Sequence, residues 1–238
     1  MHANKKTQAQ KMIMIGVQGV QGSGKSTAVQ KLCREDSKNY GYISLDDFYL
    51  PQSEIQDKFE KTQDNAYQYR GNPGTHDIEL LVYVLKTLRS GNAVHIPKYN
   101  KYAHEGKGDR EKKWKTVKPK RIIFVEGWCI GFAPIHSMSH VDNSLIAYAH
   151  ILNYLDGLFI MVPPYLNIVY KWREEAEEKA RMTNQNAMSS SEIISFVDIY
   201  MTTYNTYLDN MYANPPIKPA YFVQLDEKRQ VISAWLLR

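Results

Sequence analysis

The sequence has little cysteine and no long hydrophobic segment. Cys33 and Cys129 are the only cysteines among 238 residues, and they are too far apart for a metal-binding pair. Both lie in apolar stretches, which predicts buried free thiols in a reducing compartment. No apolar run approaches the ~18 residues that a membrane span needs, and the run from Met12 to Val17 is too short for a secretion signal. These absences predict a cytoplasmic protein that does not associate with membranes.

The positive charge is not concentrated in one place. The chain has 30 Lys and Arg against 25 Asp and Glu, a formal net charge of +5. Proteins that bind nucleic acid usually carry a concentrated basic patch with aromatic residues that read the bases, so we expect no nucleic-acid partner. A modest positive balance suits a small anionic substrate. No feature of the sequence indicates an obligatory protein partner.

Short apolar runs alternate with amphipathic stretches, which is typical of a parallel β-sheet covered by helices. Strands are predicted at residues 12–18, 42–45, 121–126, 157–162 and 221–225. Helices are predicted at residues 25–36, 77–90, 144–154, 164–181 and 191–210. The segment LDEKRQV predicts the turn of a small C-terminal hairpin. We therefore expect one α/β domain over residues 1–238, with a functional insertion at residues 50–114, where the pattern is looser.

Residues 19–27, GVQGSGKST, contain the complete pattern G-x-x-x-x-G-K-[ST] between a predicted strand and a predicted helix. The glycines let backbone N–H groups converge on phosphate oxygens, and the positive end of the helix dipole adds to the attraction. We expect Lys25 to contact the β- and γ-phosphates of a nucleotide and the Ser26 hydroxyl to ligate Mg²⁺. The residues predicted to bind the nucleotide are Gly19, Gly22, Ser23, Gly24, Lys25, Ser26 and Thr27.

A second magnesium ligand is predicted at the end of the strand in RIIFVEG. Glu126 follows four apolar residues, so it leaves a buried parallel strand at its carboxyl end. Ligands of open α/β sheets bind in the crevice at these strand ends. The alternative interpretation is an exposed carboxylate without a ligand.

The segment SLDDFYLP places Asp46 and Asp47 at the carboxyl end of another predicted strand. A carboxylate here orients an alcohol and accepts its proton during phosphoryl transfer, whereas an ATPase positions water instead. We predict Asp46 as this base and as a further candidate metal ligand. Asp47 is then a helix cap or a neighbouring partner, although the two could exchange roles. Two capping aspartates beside packed aromatic residues are the alternative.

Two loops carry candidate contacts to an acceptor. YRGNPGTHD joins a rigid turn to charged side chains, and IPKYNKYAHEGKGDR is cationic and aromatic, as are loops that grip a carboxylate or phosphate. The predicted substrate contacts are Arg70, His76, Asp77, Lys98, Tyr99 and Arg110. The alternatives are loop architecture with a helix cap at Thr75 or Asp77 for the first loop, and a solvated basic loop for the second.

The segment KWREEAEEKAR places Arg173, Glu177 and Arg181 on one face of a predicted helix. One interpretation is a ladder of surface ion pairs, each of which contributes little to stability. The other is a lid over residues 165–190, in which Arg173 closes over the transferring phosphoryl group.

The order of these motifs resembles one group of kinases. GVQGSGKST, SLDDFYL, YRGNPGTHD, IPKYNKYAHEGKGDR, FVEGWCIGF and KWREEAEEKAR followed by FVDIYMTTYNTY are similar to the plant- and fungal-type D-glycerate 3-kinase family. That family is part of a wider group of P-loop kinases containing uridine kinase, phosphoribulokinase and pantothenate kinase. The resemblance covers nearly the whole chain, from Ile13 to the C-terminal hairpin.

The resemblance implies a P-loop NTPase fold: a five-stranded parallel sheet flanked by helices, with a helical lid and a small C-terminal hairpin. It also implies ATP with Mg²⁺ as the phosphoryl donor and a small alcohol as the acceptor. In the wider group the aspartate of S-x-D-x-F-Y acts on the acceptor hydroxyl, and this corresponds to Asp46. The strand-end acid corresponds to Glu126, and the arginine of the W-R-x-x-x-E lid corresponds to Arg173.

This chain departs from the family pattern in two places. Residues 99–102 read YNKY where the family has Y-D-K-S, and Asn186 and Ala187 stand where glycines are expected in TNQNAMSSSE. The first departure concerns the acceptor and the second concerns the hinge of the lid. Neither affects the predicted ATP site.

We therefore expect an ATP-dependent kinase that phosphorylates a hydroxyl of a small metabolite, with D-glycerate as the leading acceptor. A first alternative is a nucleoside or another small alcohol as acceptor, with stacking on Tyr67, Tyr69, Tyr99 and Tyr102. A second alternative is a P-loop ATPase or switch protein without a small acceptor.

Overall fold

The computed structural model describes residues 11–182 and 187–238. Within them the strands are β1 (Ile13–Gly19), β2 (Tyr40–Ser44), β3 (Val94–Ile96), β4 (Tyr99–Asn100), β5 (Asp109–Arg110), β6 (Lys115–Val117), β7 (Ile122–Glu126), β8 (Gly157–Val162), β9 (Ala220–Leu225) and β10 (Val231–Leu237). The helices are α1 (Lys25–Glu35), α2 (Gln52–Thr62), α3 (Ile78–Arg89), α4 (His140–Leu152), α5 (Ile168–Met182) and α6 (Ser190–Ala213). Short 3-10 helices occur at Leu45–Phe48, Asn65–Tyr67 and His104–Gly106.

Six strands form the central sheet in the order β10-β9-β8-β1-β7-β2. β9, β8, β1, β7 and β2 are parallel, and β10 pairs antiparallel with β9 at one edge. The predicted α/β fold with five parallel strands and a C-terminal hairpin is thus confirmed. Each predicted strand lies within two residues of the observed one. β3 with β6, and β4 with β5, form two separate two-stranded sheets.

The register of the sheet brings together the strand ends that carry the candidate site. Glu126 of β7 is paired with Val17 of β1 on one side and with Ser44 of β2 on the other. The glycine loop follows β1, and Asp46 follows β2. The carboxyl ends of three adjacent parallel strands therefore face one crevice.

Five of the helices correspond to predicted ones, with differences at their ends. α4 begins at His140 rather than at the predicted residue 144, because Ser139 Oγ accepts a hydrogen bond from Asp142 N (3.1 Å) and caps the helix. α5 begins at Ile168, after a stretch of turns at residues 164–167. α2 was not predicted, because Ile55 is its single buried residue and the helix has no apolar stripe.

The two faces of the sheet are covered unequally. The larger core includes Leu81 of α3, Leu145 of α4 and Tyr200 of α6, all nearly inaccessible to solvent. On the other face Val17 of β1 packs with α1, including the buried Cys33. Both cysteines are free and buried, as predicted, and burial raises the pKa of each thiol.

The segment before α6 contains one of the two departures from the family pattern. Asn186 lies outside the described residues, and Ala187 lies two residues before Ser189, the N-cap of the helix. Ser189 and Glu192 form a reciprocal capping box there, which fixes where α6 begins. In the part of the chain that the structure describes, no helix has both the length and the apolar character needed to cross a bilayer.

Candidate active site

The glycine loop joins the end of β1 to the first turn of α1. Gly24 is the N-cap of α1 in a left-handed conformation (φ 88°), and the helix has neither a side-chain cap nor an acidic residue in its first turn. Its N-terminal backbone N–H groups are therefore available to bind an anionic ligand. Gly22 also has a positive φ (78°), and a Cβ added there would lie 2.5 Å from Trp172 Cβ. Any side chain at this position is thus excluded by both strain and contact.

Side chains from distant parts of the chain hold the loop. Gln21 N donates to Tyr204 Oη (2.9 Å), and Arg229 Nε donates to the carbonyl of Gly22 (2.6 Å). Ser23 Oγ is buried and has no hydrogen-bond partner among the described residues. An unpaired buried hydroxyl is costly unless a ligand or water completes it. Its place inside the loop fits a bound phosphate group.

Ser26 and Glu126 lie together below the loop. Ser26 Oγ donates to Glu126 Oε1 (3.0 Å), and Ser44 Oγ donates to the same oxygen (2.5 Å). Glu126 is only 3% exposed. The described residues contain no group of three or more His, Cys, Asp or Glu side chains that could hold a metal by itself. Mg²⁺ commonly uses one or two protein oxygens and completes its shell with phosphate and water, so this hydroxyl–carboxylate pair fits that ion.

A cavity of about 190 Å³ lies beside the loop. It brings together residues from the glycine loop, the segment after β2, the insertion and helices α5 and α6. The lining residues are Gln21, Gly22, Lys25, Ser26, Asp46, Tyr49, Arg70, Lys101, Trp128, Arg173, Phe196 and Tyr200. The three side chains predicted to be catalytic, Lys25, Asp46 and Arg173, are all among them.

Asp46 makes two contacts in this cavity. Tyr49 Oη donates to its Oδ1 (2.8 Å), and Lys101 Nζ donates to its Oδ2 at 2.5 Å. Burial alone would raise the pKa of Asp46, but the positive charges of Lys101 and Lys25 hold it well below its usual range. The carboxylate is therefore ionised at neutral pH. Both oxygens are engaged by the protein, which leaves its candidate metal-ligand role a prediction.

Asp47 occupies a different environment from Asp46. Its Oδ2 accepts a hydrogen bond from Lys115 Nζ (2.7 Å), and Asp47 is absent from the lining of the cavity. Of the two aspartates that the sequence could not separate, the structure therefore brings Asp46 to the cavity.

Arg70 is the member of the predicted substrate set that lines the cavity. Its Nη1 donates to the carbonyls of Gly106 (2.7 Å) and Lys107 (2.5 Å), and its Nη2 donates to the carbonyl of Lys101 (3.3 Å). Arg70 thereby holds the basic loop against the site. Its role in binding substrate stays a prediction.

His76 lies behind the cavity wall. It is 5% exposed, stacks on Tyr49 with ring centroids 4.6 Å apart, and its Nδ1 is 2.6 Å from Tyr148 Oη. Burial lowers the pKa of His76 to about 3, so the ring is neutral at physiological pH. The structure shows His76 supporting Tyr49, and it does not bring this ring to the lining.

Asp77 and Arg110 form a structural link. Asp77 Oδ1 accepts a hydrogen bond from Leu80 N (3.0 Å) and caps α3, so Asp77 rather than Thr75 is the cap. Arg110 Nη2 donates to Asp77 Oδ2 (3.0 Å), and its Nε donates to the carbonyl of Tyr49 (2.7 Å). These bonds fix the segment that carries Asp46. Neither residue lines the cavity, so their direct contact with substrate is not supported by this geometry.

Lys98 and Tyr99 also lie outside the lining. Lys98 Nζ is 4.0 Å from Glu111 Oε2, with both side chains partly exposed. Tyr99 packs edge-on against Tyr49 at 5.0 Å between ring centroids, and its buried hydroxyl has no hydrogen-bond partner among the described residues. Burial raises the pKa of Tyr99 to about 12. Tyr99 stays a candidate contact, because its hydroxyl is unpaired and its ring packs against Tyr49, which lines the cavity.

Arg173 reaches the cavity from α5, and the expected ion-pair ladder is only partly present. Arg173 pairs with Glu177, and its guanidinium lies 4.7 Å from the centroid of the Phe196 ring. Glu177 is buried, so this is not a surface pair. Arg181 does not continue the ladder, because it pairs with Glu174 at 3.1 Å. The ladder prediction was wrong for Arg181, since α5 turns that side chain toward the segment before α6, where it also donates to the carbonyl of Met188 (2.7 Å).

Several lining residues were not predicted from the sequence. They are Gln21, Tyr49, Lys101, Trp128, Phe196 and Tyr200. Tyr49 and Lys101 lie inside motifs that the sequence singled out. The motifs therefore indicated the right segments, although other residues in them were predicted as contacts. Phe196 and Tyr200 follow a helical spacing of four on α6, which looks the same in sequence as an ordinary core stripe.

Comparison with known proteins shows the family of the chain. Residues 14–211 match the model of the phosphoribulokinase / uridine kinase family. The chain is 33% identical to the D-glycerate 3-kinase, chloroplastic, of Arabidopsis thaliana over 93% of its own length, but it spans only 54% of that protein. It is 34% identical to the uncharacterized kinase mug58 of Schizosaccharomyces pombe, covering 91% of this chain and 88% of that one.

A solved structure is similar over nearly the whole chain. The D-glycerate 3-kinase from Cryptococcus neoformans superposes with a TM-score of 0.86 and 25% identity, covering 95% of this chain and 90% of that one. The resemblance seen in the motifs is thereby confirmed. The chain belongs to the phosphoribulokinase/uridine kinase family of P-loop kinases.

Proposed function

We propose that this protein is an ATP-dependent kinase that transfers the γ-phosphoryl group to a hydroxyl of a small hydroxy acid, with D-glycerate as the leading acceptor. The observation that carries the proposal is that the phosphate loop and Asp46 share one cavity with Arg70, Lys101 and Arg173. Such a cavity places a bound phosphoryl donor next to a carboxylate base for an alcohol and next to cations that stabilise the developing negative charge. Two relatives named D-glycerate 3-kinase support the choice of acceptor.

The glycine loop would bind the phosphates of ATP. Its backbone N–H groups and the N-terminus of α1 attract phosphate oxygens, and Lys25 lines the cavity from the first position of that helix. Ser26 and Glu126 would hold Mg²⁺, which supplies neutralisation of charge on the phosphate oxygens. Gly19, Ser23 and Thr27, which are also predicted to bind the nucleotide, belong to the same loop segment as Lys25 and Ser26.

Asp46 would act on the acceptor. Its ionised carboxylate orients the hydroxyl and accepts its proton while the hydroxyl oxygen bonds to the γ-phosphorus. The bond from that phosphorus to the bridging oxygen breaks, and ADP leaves with its electron pair. Lys25 and Arg173 stabilise the negative charge on the transferring group.

We also propose a division of the chain into functional segments within a single domain. Residues 165–190 form the lid that carries Arg173, and residues 50–114 bind the acceptor. We further propose that the protein works in the cytoplasm.

The charge around Asp46 favours an anionic acceptor over a nucleoside. Arg70 and Lys101 stand on the acceptor side, and the cavity is only about 190 Å³. The four tyrosines considered for stacking on a nucleobase, Tyr67, Tyr69, Tyr99 and Tyr102, are absent from the lining. Tyr67 is fully buried, and Tyr102 is exposed. A nucleoside therefore stays the second candidate acceptor, supported by the family match and by relatives named uridine kinase that align with about half of this chain.

The first experiment is a coupled assay of ADP release with Mg-ATP. The panel contains D-glycerate, L-glycerate, uridine, pantothenate and water alone. We expect strong stimulation by D-glycerate and little by uridine. Stimulation by uridine instead would select the nucleoside kinase, and a rate indifferent to every acceptor would favour a P-loop ATPase or switch protein.

A further inference from the structure

Lys101 occupies the position beside Asp46 that an acceptor has to enter. Its ammonium lies 2.5 Å from Asp46 Oδ2, and the Lys101 side chain is 51% exposed. Tyr49 donates to the second carboxylate oxygen at 2.8 Å. Both oxygens of the base are thus engaged before any alcohol arrives. Each carboxylate oxygen can accept a further hydrogen bond, but the positive charge of Lys101 beside Oδ2 makes Asp46 a weaker base, so release of this contact favours transfer of a hydroxyl proton to it.

The backbone of Lys101 is held while its side chain is free to reach elsewhere. Arg70 donates to the carbonyls of Lys101, Gly106 and Lys107, which fixes the loop at three points. The lysine side chain has a flexible four-carbon stem beyond that anchor, and its ammonium group is a compact charge with three hydrogen-bond donors. Lys101 can therefore change partner without movement of the loop.

We propose that Lys101 is the residue that selects an anionic acceptor, by giving up Asp46 to pair with the carboxylate of the incoming hydroxy acid. In the absence of acceptor, Lys101 holds Asp46 in an ion pair that keeps the carboxylate from activating water. A carboxylate-bearing acceptor offers Lys101 a replacement partner, so the base is released when the correct substrate is bound. The inference rests on the proposed function and names the residue that sets its substrate class.

A neutral alcohol gives Lys101 no such replacement. Separating the lysine from Asp46 would then lose their ion pair with no new pair to offset it, and Lys25 would remain as the positive charge near the carboxylate. Discrimination against glycerol or a nucleoside follows from this cost as well as from attraction to the acid.

The test compares Lys101→Met with the wild-type protein in two assays. The first measures KM and kcat for D-glycerate and for glycerol, which lacks the carboxylate. The second measures ATP hydrolysis without acceptor. There the oxygen of water bonds to the γ-phosphorus, the bond to the bridging oxygen breaks, ADP departs with the electron pair, and Asp46 takes the proton from water.

We expect Lys101→Met to raise the KM for D-glycerate by ~10- to 100-fold, the value of a charge-assisted hydrogen bond. Use of glycerol should not fall in parallel, and hydrolysis without acceptor should rise severalfold because Asp46 is free. Lys101→Arg should restore much of the D-glycerate KM. Lys107→Met removes the same charge from an exposed position in the same loop and should match the wild type in both assays.

Either of two results overturns the inference: an unchanged KM for D-glycerate, or equal acceptor-free hydrolysis in Lys101→Met and wild type. If D-glycerate fails to stimulate even the wild-type protein, the proposed acceptor is wrong. The hydrolysis comparison then still decides whether Lys101 restrains Asp46, so the two failures remain distinguishable.

Discussion

At the scale of single residues, Asp46 and Asp47 offer a matched pair of variants. Asp46→Asn keeps the size of the side chain but removes the base, so we expect kcat to fall by ~10²- to 10⁴-fold. The affinity for ATP should stay nearly unchanged, since the glycine loop is not altered. Steady-state ADP release and calorimetric titration with an ATP analogue measure the two quantities.

Asp47→Asn is the control for this prediction. Asp47 is paired with Lys115 and absent from the cavity lining, so its variant should retain kcat within about threefold, in line with the small effect of most ion pairs near the surface. If Asp47→Asn lost turnover while Asp46→Asn kept it, the assignment of the base would have to be reversed.

Alanine variants of Gly22 and Gly91 distinguish the effect of backbone strain from the effect of a steric contact. Both have a positive φ, 78° and 83°, but a Cβ on Gly22 would meet Trp172, whereas a Cβ on Gly91 meets no atom within 4 Å. Gly91→Ala should cost about 1–2 kcal/mol of stability from the left-handed conformation alone and leave ATP binding intact. Gly22→Ala should in addition weaken ATP binding, because the loop must move away from Trp172. Equal ATP affinity in the two variants would contradict this.

The predicted site residues that line the cavity belong to local patterns. Lys25 follows from the glycine motif, and Asp46 follows from its position after a strand. Lys101 lies in the basic loop that the sequence singled out, but its pairing with Asp46 could not be predicted, because the two residues are 55 positions apart and no periodicity joins them. His76 and Arg110 were predicted as substrate contacts because buried supports and ligand contacts use the same polar residue types.

At the scale of elements, the turn between β9 and β10 joins two parts of the active site, the glycine loop and α5. Arg229 donates to the carbonyl of Gly22 (2.6 Å), pairs with Glu175 of α5 (2.7 Å) and lies 4.9 Å from the centroid of the Trp172 indole. Trp172 Nε1 in turn donates to the carbonyl of Glu227 in the same turn (2.8 Å). The C-terminal hairpin thereby holds the glycine loop against α5.

We expect Arg229→Ala to raise the KM for ATP by ~10-fold, which corresponds to about 1.4 kcal/mol. The glycine loop loses a charge-assisted hydrogen bond, and its bound conformation is then less well organised. The KM for the acceptor should change much less, since the turn does not line the acceptor cavity. Initial rates at varied ATP measure the effect.

Lys228→Ala is the control for the hairpin, because it removes an exposed cation from the same turn. Its KM for ATP should match that of the wild type. A similar increase in both variants would indicate a general loss of positive charge rather than the specific contact to Gly22.

Elements were predicted where their hydrophobic pattern was strong. The five parallel strands have near-continuous apolar runs, and the hairpin turn has a recognisable sequence, whereas α2 has one buried residue and gave no signal. The contact of the hairpin with the glycine loop could not be predicted, because it joins residues more than 200 positions apart through a backbone carbonyl.

At the scale of the whole molecule, α6 closes one face of the fold and also completes the active site. Phe196 and Tyr200 of α6 line the cavity, Tyr204 accepts from Gln21 N of the glycine loop, and Tyr207 donates to Asp142 of α4 (2.9 Å). Sequence analysis predicted this helix but not these contacts, because tertiary packing decides which neighbours a helix face meets. Stability and the geometry of the site are therefore coupled through the same helix.

The pH dependence of stability should show a signature of His76, which connects the segment after β2 to α4. Burial lowers the pKa of His76 to about 3, with the charge of Asp46 opposing this in part. The unfolded chain binds a proton below a pH of about 6.5, whereas the folded protein does not until much lower pH. The contribution of the neutral ring is therefore fully present above that pH and is lost as the pH falls toward 3, by up to about 1.4 kcal/mol per unit.

Urea unfolding of the wild type, His76→Gln and His95→Gln at pH 7.5 and pH 5.0 tests this dependence. His76→Gln should be less stable at pH 7.5, because it loses the stacking on Tyr49, but its loss on going to pH 5.0 should be smaller than that of the wild type by up to about 2 kcal/mol. His95 is exposed, so His95→Gln should follow the wild type. Protonation of paired carboxylates also lowers the free energy of unfolding as the pH falls, but it does so equally in all three proteins. The difference between the variants therefore isolates the effect of His76. Parallel pH profiles for His76→Gln and the wild type would show that the ring gains its proton without unfolding the segment that carries Asp46.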